Sequence, residues 1–298
     1  MKPWVLIDIS FLAHRARYAT ADLAYDDFNT GILFGFWEQL RTICSDPNIN
    51  SNKVVLFFDS RQSYRKRILP SYKGDRKKDM TDEEKEQLGI MYDQIKLLRR
   101  TILPAIGFQV IRQTGLESDD LIAEAANILT SNKEKGIIVS ADGDLWQCIS
   151  DYVRWYDPAR RKGYDSDSFI EAKGIEPALW RDVKCIAGCS GDNVPGVPGV
   201  GVKTAIKFLT RQLPPHYKTY KAITSYDGET IISRNEKLVA LPHLKTKTFE
   251  LREPEYNPDA FFSMCERYGF LSYLRKPRRG EWISFFNTMR PKLRRRGE

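Results

Sequence analysis

Residues 139–148 read VSADGDLWQC and complete GIIVS, a short apolar run with the composition of a buried strand. The strand therefore ends in two carboxylates two residues apart, Asp142 and Asp144. One reading is plain turn chemistry, because Asp and Gly reverse a chain without further purpose. The other is a metal site. The choice depends on how the other strands of the chain end.

They end alike. WVLIDIS, KVVLFFD, GFQVIR, KGIIVS and YVRWYD read as short strands. Between them GILFGFWEQLRTIC, DEEKEQLGIMYDQIKLLRRTILP and ESDDLIAEAANILTS have helical spacing, the last two opening on acids suited to a helix N-terminus. Alternating strands and helices predict an α/β fold with a mostly parallel central sheet. Ligands of such sheets gather beyond the carboxyl ends of the strands. Asp8 follows WVLI and Asp59 follows VVLFF, so with Asp142 and Asp144 four carboxylates are expected at one edge. Glu117, Asp119 and Asp120 open a helix, where positions 117 and 120 share a face. Seven acids gathered together repel one another and titrate abnormally unless divalent cations neutralise them. An all-oxygen ligand set selects hard ions, so Mg²⁺ or Mn²⁺ is expected, as a pair of ions about 4 Å apart. Each acid keeps a plainer alternative: Glu117 or Asp119 as a helix cap, Asp59 as the start of a turn.

Composition limits the rest. At 298 residues and 42% hydrophobic content the chain can bury a sizeable core in one large or two modest domains. It has no membrane-spanning apolar run, and its start, MKPWVLIDIS, turns acidic too early for a secretory leader, so a cytoplasmic protein is expected. Cys44, Cys148, Cys185, Cys189 and Cys265 lack C-x-x-C spacing, which argues for reduced thiols over a disulfide framework or a zinc site. The formal charge of +8 is unevenly placed: Arg275–Glu298 carries nine basic residues against two acids, leaving +1 for the other 274 positions. A second cluster, Arg61–Lys78, has eight basic residues against one Asp, with Tyr64 and Tyr72 interleaved. Such patches suit a polyanion whose counterions they release, or are simply solvated surface.

The stretch GDNVPGVPGVGVKTAIKFL, residues 191–209, supplies the second strong signal. Gly196, Gly199 and Gly201 allow a tight hairpin with uncovered amides, and the helix opening near Lys203 turns its positive end the same way. Such amides grip a nucleic-acid backbone without reading bases. The spacing fits a helix-hairpin-helix element. It fits neither a nucleotide P-loop nor a dinucleotide fingerprint.

Taken in order, these motifs make the chain resemble the flap endonuclease family of 5′ nucleases in its phage and bacterial form. LIDISFLAHRA resembles the family's opening strand, implying a metal role for Asp8 and a DNA contact for Arg15. FFDSRQSYRKRILPSYKGDR resembles the second motif, implying a metal role for Asp59, phosphate contacts for Arg65 and Arg76, and active-site roles for Tyr72, Lys73 and Arg76. LESDDLIAEAA and SADGDLWQCI match the acid-rich helix and the strand-end pair. GDNVPGVPGVGVKTA matches the duplex-gripping hairpin, implying DNA contacts at Gly196, Gly199, Gly201, Lys203 and Thr204 and a K⁺ ion at 196–201. The resemblance implies a PIN-like nuclease core over residues 1–181 with an arch at about 73–100, followed by a mainly helical helix-hairpin-helix region over 182–298 with a basic tail. Asp8, Asp59, Glu117, Asp119 and Asp120 would serve one ion, and Asp142, Asp144 and Asp192 the other, in hydrolysis of a phosphodiester with Lys73 and Arg76 offsetting charge on the phosphate. The implied partner is branched or 5′-ended DNA: a flap, nick, gap or RNA primer hybrid. An unlinked DNA polymerase is a candidate partner, the chain is expected to be a monomer, and a bacterial or phage-infected cytosol is the expected setting.

One position departs from the pattern. Where the family reads G-D-x-x-D-N, this chain has Gly188, Cys189, Ser190, Gly191, Asp192 and Asn193. A thiol is a poor ligand for a hard cation, so the second ion should be held more weakly. Two further readings follow: a branched-DNA-binding protein that cuts poorly, and a phosphatase of the haloacid dehalogenase type. The phosphatase needs D-x-D after the first strand, where DIS supplies only Asp8. His14, His216 and His243 are expected to be structural or surface residues. Trp282, Phe285 and Phe286 in EWISFF resemble half of a clamp-binding peptide, but core packing is the expectation.

Overall fold

Apolar runs too short to be helices became strands, and the amphipathic stretches between them became helices. The structure is a computed structural model that describes residues 2–20, 22–51, 53–75 and 78–289. All five expected strands form, as Trp4–Asp8, Lys53–Phe57, Gln109–Ile111, Gly136–Val139 and Val153–Asp157. The chain divides into two compact units, each discontinuous in sequence. One takes the chain up to Phe58, Thr81–Ile111 and the part from Phe249 onward; the other takes Asp59–Met80 and Arg112–Thr248. Arg76 and the tail from Arg290 lie outside the described residues.

In the first unit Trp4–Asp8 pairs parallel with Lys53–Phe57 in unbroken register, from Trp4 with Lys53 to Asp8 with Phe57, and Gln109–Ile111 pairs parallel on the other side of Lys53–Phe57. Val5, Leu6 and Ile7 are wholly buried, as are Val55, Leu56 and Phe57, the continuous apolar pattern of strands covered on both faces. Helices Ile9–Thr20 and Gly31–Cys44 approach closely because Gly35 has no Cβ: one placed there would fall 2.7 Å from the Ala16 Cβ. The Thr20 hydroxyl donates to the Gly31 carbonyl at 2.6 Å across the same contact. Helix Asp82–Leu97 starts at a capping box made by Thr81 and Glu84, as its acidic first turn suggested. EWISFF lies in helix Arg278–Met289, and its rings are core: Trp282 and Phe286 are buried, Trp282 packing 4.5 Å from Phe261 and 5.1 Å from Tyr273 between ring centroids.

The second unit is built on Gly136–Val139 and Val153–Asp157, again parallel, with Lys162–Tyr164 added antiparallel as an edge the sequence did not disclose. Helix Ser118–Ser131 precedes them. Trp146, Trp155, Tyr164, Phe169 and Trp180 form an aromatic cluster below the strand ends, with Trp146 and Trp180 centroids 5.0 Å apart. The helix-hairpin-helix element is helix Trp180–Ala187, a two-stranded hairpin pairing Gly188–Cys189 with Val194–Pro195, and helix Val202–Leu209. Gly196 must lack a side chain, since a Cβ would lie 2.2 Å from the Ala187 carbonyl, and Gly199 turns the chain at φ +74°. Helix Tyr226–Val239 braces the hairpin through buried Asn235, whose amide donates to the Cys185 and Pro195 carbonyls, each at 2.9 Å.

All five cysteines are free thiols, three buried and two partly buried. No helix among the described residues is long and apolar enough to cross a membrane.

Replacing Asn235 by Ala removes the donor to the buried Cys185 carbonyl and leaves the Pro195 carbonyl to the Arg234 guanidinium alone. A loss of about 1–3 kcal/mol in urea-induced unfolding is expected, with the midpoint moving and the slope unchanged.

Candidate active site

Seven of the eight acids singled out in the sequence belong to the second unit, and three side-chain cations of that unit organise them. Asp8 belongs to the first unit, where it ends its strand and accepts the Ser10 amide at 2.8 Å. Asp59 is exposed and accepts the amide of Ser118 at 2.8 Å, which ties the end of one strand motif to the start of the acidic helix. Glu117 is the N-cap of that helix and Asp120 its third residue, each side chain taking the other's backbone amide. The cap reading of Glu117 therefore holds together with its place in the acid cluster. Asp119, in the same turn, is half-buried.

Asp120 and Arg65 require correction. Arg65 is 2% exposed and Asp120 is fully buried, and the guanidinium grips the carboxylate with two bonds of 2.7 Å. The remaining acceptor capacity of Asp120 goes to the amides of Glu117 at 3.0 Å and His243 at 2.9 Å, while Arg65 Nε donates to the Leu238 carbonyl at 2.6 Å. Neither group is presented to a ligand. Asp120 is not placed to hold a metal ion, nor Arg65 a phosphate, because each is saturated by the other and by backbone. The pair instead pins helix Tyr226–Val239 and the segment after it to the acidic helix.

Tyr72 and Lys73 join the two acid groups. The Tyr72 hydroxyl lies 3.0 Å from Glu117 Oε2 and 3.1 Å from Asp192 Oδ2. Lys73 Nζ lies 2.7 Å from Glu117 Oε2 and 3.8 Å from Asp192 Oδ2, and its backbone amide donates to the Asp192 carbonyl at 3.0 Å. Burial alone would lower the Lys73 pKa, but Glu117 and Asp192 outweigh it and hold the ammonium above its ordinary range. Burial acts against the Glu117 carboxylate too, and Lys73 and Arg65 overcome it, leaving Glu117 below the ordinary range. Burial, followed by Glu117 and Asp192, pushes the Tyr72 phenol far up, so it remains a neutral donor.

Asp142, Asp144, Cys189 and Asp192 line a cleft of about 520 Å³ with Trp146, Trp180, Lys184 and the start of helix Val202–Leu209. Ligand atoms of Asp144, Cys189 and Asp192 lie within 4.8 Å of one another. Asp142 caps the turn by accepting the Asp144 amide at 2.8 Å, so the turn reading and the cluster reading of DGD are both realised. Lys184 Nζ pairs with Asp144 Oδ1 at 2.7 Å, and the Cys189 thiol donates to Asp144 Oδ2 at 3.4 Å. Burial pushes the Cys189 thiol up to about 11, so it stays protonated at neutral pH. Sequence reasoning missed Lys184. Its signal was there: a lysine on the strongly amphipathic helix Trp180–Ala187, five residues before Cys189.

At the hairpin, Gly199 and Gly201 are exposed and Gly196 half-buried; Lys203 is exposed, and Thr204 donates its amide to the Gly201 carbonyl at 3.0 Å. Helix Val202–Leu209 has no side-chain cap at Gly201. Arg15 is exposed on helix Ile9–Thr20, its guanidinium 5.4 Å from the Phe11 ring centre. Arg76 lies outside the described residues. Of the histidines, His14 is exposed, His216 stacks on Tyr217, and His243 stacks on Tyr64.

Residues 3–174 match the family described as 5′-3′ exonuclease, N-terminal resolvase-like domain. The chain belongs to the 5′-3′ exonuclease family. A relative named 5′-3′ exonuclease, from Buchnera aphidicola subsp. Schizaphis graminum, is 29% identical over 264 residues, covering 88% of this chain and 84% of that one. DNA polymerase I of Mycobacterium tuberculosis is 32% identical over 218 residues, which are 69% of this chain but 22% of the polymerase. Among solved structures, the T5 D15 protein co-crystallised with metal ions superposes with a TM-score of 0.68 at 17% identity, over 97% of this chain and 100% of that one. At that identity the likeness speaks for the fold, and the mostly parallel sheet with its helical surround is shared. Membership in the 5′-3′ exonuclease family sets aside the haloacid dehalogenase reading.

The Arg65–Asp120 pair gives a direct check. In metal-free buffer Arg65→Met should cost about 3–5 kcal/mol of unfolding free energy by leaving a buried charge alone, whereas Asp119→Asn, one residue away and half-buried, should cost less than about 1 kcal/mol.

Proposed function

We propose that this chain is a divalent-metal-dependent 5′ nuclease, a flap endonuclease and 5′-3′ exonuclease that hydrolyses phosphodiester bonds near junctions of 5′ single strand and duplex. The observation that carries the reading is the bridge of Tyr72 and Lys73 between Glu117 and Asp192, which gathers the helix-start and hairpin acids around one cation. The T5 D15 flap endonuclease has been crystallised with DNA and metal ions, and the Buchnera relative carries the name of the same activity. Both support carrying that chemistry over.

The carboxylates of Asp59, Glu117 and Asp119 fit a hard divalent ion, Mg²⁺ or Mn²⁺. When bound, such an ion supplies charge neutralisation at the phosphate and a more acidic water. The chain's own residues do the rest. Asp59 is exposed at the strand end, where it can reach an incoming ligand. Lys73 holds a permanent positive charge beside the acids and is placed to offset charge on the scissile phosphate, with Arg76 as a second candidate. Tyr72, a neutral phenol, places its one donor hydrogen between the Glu117 and Asp192 carboxylates. The amides at Gly199, Gly201, Lys203 and Thr204 present a helix start to a phosphate backbone, with K⁺ as the candidate ion at 196–201, and Arg15 offers a further phosphate contact. The segment of about 73–100 is the candidate arch for the 5′ strand, and residues 182–298 the candidate duplex-binding region. Removal of RNA primers and trimming of flaps or nicks in replication or repair, in concert with a DNA polymerase, is the matching role.

A second reading is a branched-DNA-binding protein that cuts weakly. The cleft at Asp144 favours it, since a thiol and an ammonium occupy both oxygens of that carboxylate.

Cleavage of a 5′-end-labelled flap duplex in Mg²⁺ or Mn²⁺ decides between them. The wild type should cut at the junction, Asp59→Ala should lose the activity, and Lys73→Ala should fall by about 10²–10³-fold with flap binding retained. Intact flap binding without cutting in either metal would leave the binding reading. For the DNA contact, Lys203→Ala should weaken binding equally on all sequences and reduce the slope of log K against log salt by about 1.

A further inference from the structure

The cleft at Asp144 does not match what a second hard divalent ion needs. Such an ion wants several carboxylate or water oxygens free to turn toward it. Here Asp144 Oδ1 is taken by Lys184 Nζ at 2.7 Å and Oδ2 by the Cys189 thiol at 3.4 Å. Asp142 Oδ1 accepts the Asp144 amide at 2.8 Å, and Asp192 Oδ2 lies 3.1 Å from the Tyr72 hydroxyl, whose one proton it shares with Glu117. Cys189 cannot compensate, because a soft sulfur is a poor partner for Mg²⁺ or Mn²⁺. Nor is it a stray surface thiol: it packs against the buried apolar group of Tyr72, Cys185, Val194, Leu238 and Val239.

Lys184 is built into this place. It sits on helix Trp180–Ala187, anchored by the buried Trp180, Val183, Cys185 and Ile186, and its side chain is 15% exposed. A lysine so held gives up its hydration and rotamer freedom only where a carboxylate repays it.

We propose that Lys184 is the resident cation of this cleft in the DNA-free chain, and that a divalent ion gains Asp144 only by displacing it. Two residues act together: Cys189 supplies no carboxylate to the cleft, and Lys184 neutralises one of those present. The chain then loads its first divalent ion on the side of Asp59 and Asp119, where Glu117 keeps Lys73 as Asp144 keeps Lys184, and leaves the cleft to the ammonium. This rests on the nuclease reading only for the assignment of that first ion.

The test counts ions rather than turnover. Mn²⁺ alone is titrated into the full chain without DNA, bound ion is counted by electron paramagnetic resonance of the free ion, and quenching of tryptophan emission reports occupancy beside Trp146 and Trp180. The wild type should take up one ion without quenching of that pair. Lys184→Met and Lys184→Gln should each take up a second, quenching ion, bound on the order of tenfold more tightly than any at the wild-type cleft. Lys184→Arg should behave as wild type, and adding Cys189→Asp to Lys184→Met should tighten the second ion again. Two ions bound by the wild type, or unchanged isotherms in both neutral variants with native melting curves, would overturn the proposal. Flap cleavage by the same wild-type preparation keeps the two questions apart. Cutting with unchanged isotherms removes the inference and leaves the nuclease; a gained ion without cutting does the reverse.

Discussion

Carboxylates collected in a partly buried space must be neutralised, and this requirement governs the second unit. Three basic side chains meet it from within: Arg65 on Asp120, Lys73 on Glu117 and Lys184 on Asp144. Each works differently. Arg65 is planar, buried and bidentate, and its partner is filled by backbone amides as well, so that pair is architecture. Lys73 is a point charge that can be shared, and it lies between two acids at 2.7 and 3.8 Å. Lys184 reaches Asp144 from a helix whose other face is buried.

Division of labour among neighbouring acids follows from burial rather than from residue type. Asp119 and Asp120 are adjacent in sequence, yet one is half-buried and the other wholly enclosed by an arginine and two amides. A helix start makes this possible, since positions two and three of the first turn point about 100° apart. The same device gives Glu117 two duties, as N-cap of the helix and as the acceptor for Tyr72 and Lys73. The two duties are compatible because the carboxylate has two oxygens, enough for a backbone amide and the two side-chain donors together.

The hairpin is positioned with similar economy. Gly196 lets the strand pass against Ala187, Asn235 fastens both sides of the turn, and Tyr72 and Lys73 hold Asp192 on the acid side. The element that would grip a phosphate backbone is thereby fixed relative to Glu117 within one compact unit. Its register is set by packing and backbone bonds, independent of any base contact.

Local chemistry determined what could be read along the chain. The five strands, the acidic helix, the strand-end acids and the glycine turn each depend on neighbours within a few residues, so periodicity and turn composition disclose them. Core packing was the expectation for EWISFF as well, and Trp282, Phe285 and Phe286 are buried. Tertiary structure decided which acids remain presented to a ligand. Arg65 finds Asp120 across 55 positions, Tyr72 finds Glu117 across 45, and Lys184 finds Asp144 across 40. No local pattern encodes such pairs, because a charged side chain carries no mark of its partner; only the folded path of the backbone brings the two within the few ångströms at which an ion pair outweighs the loss of water.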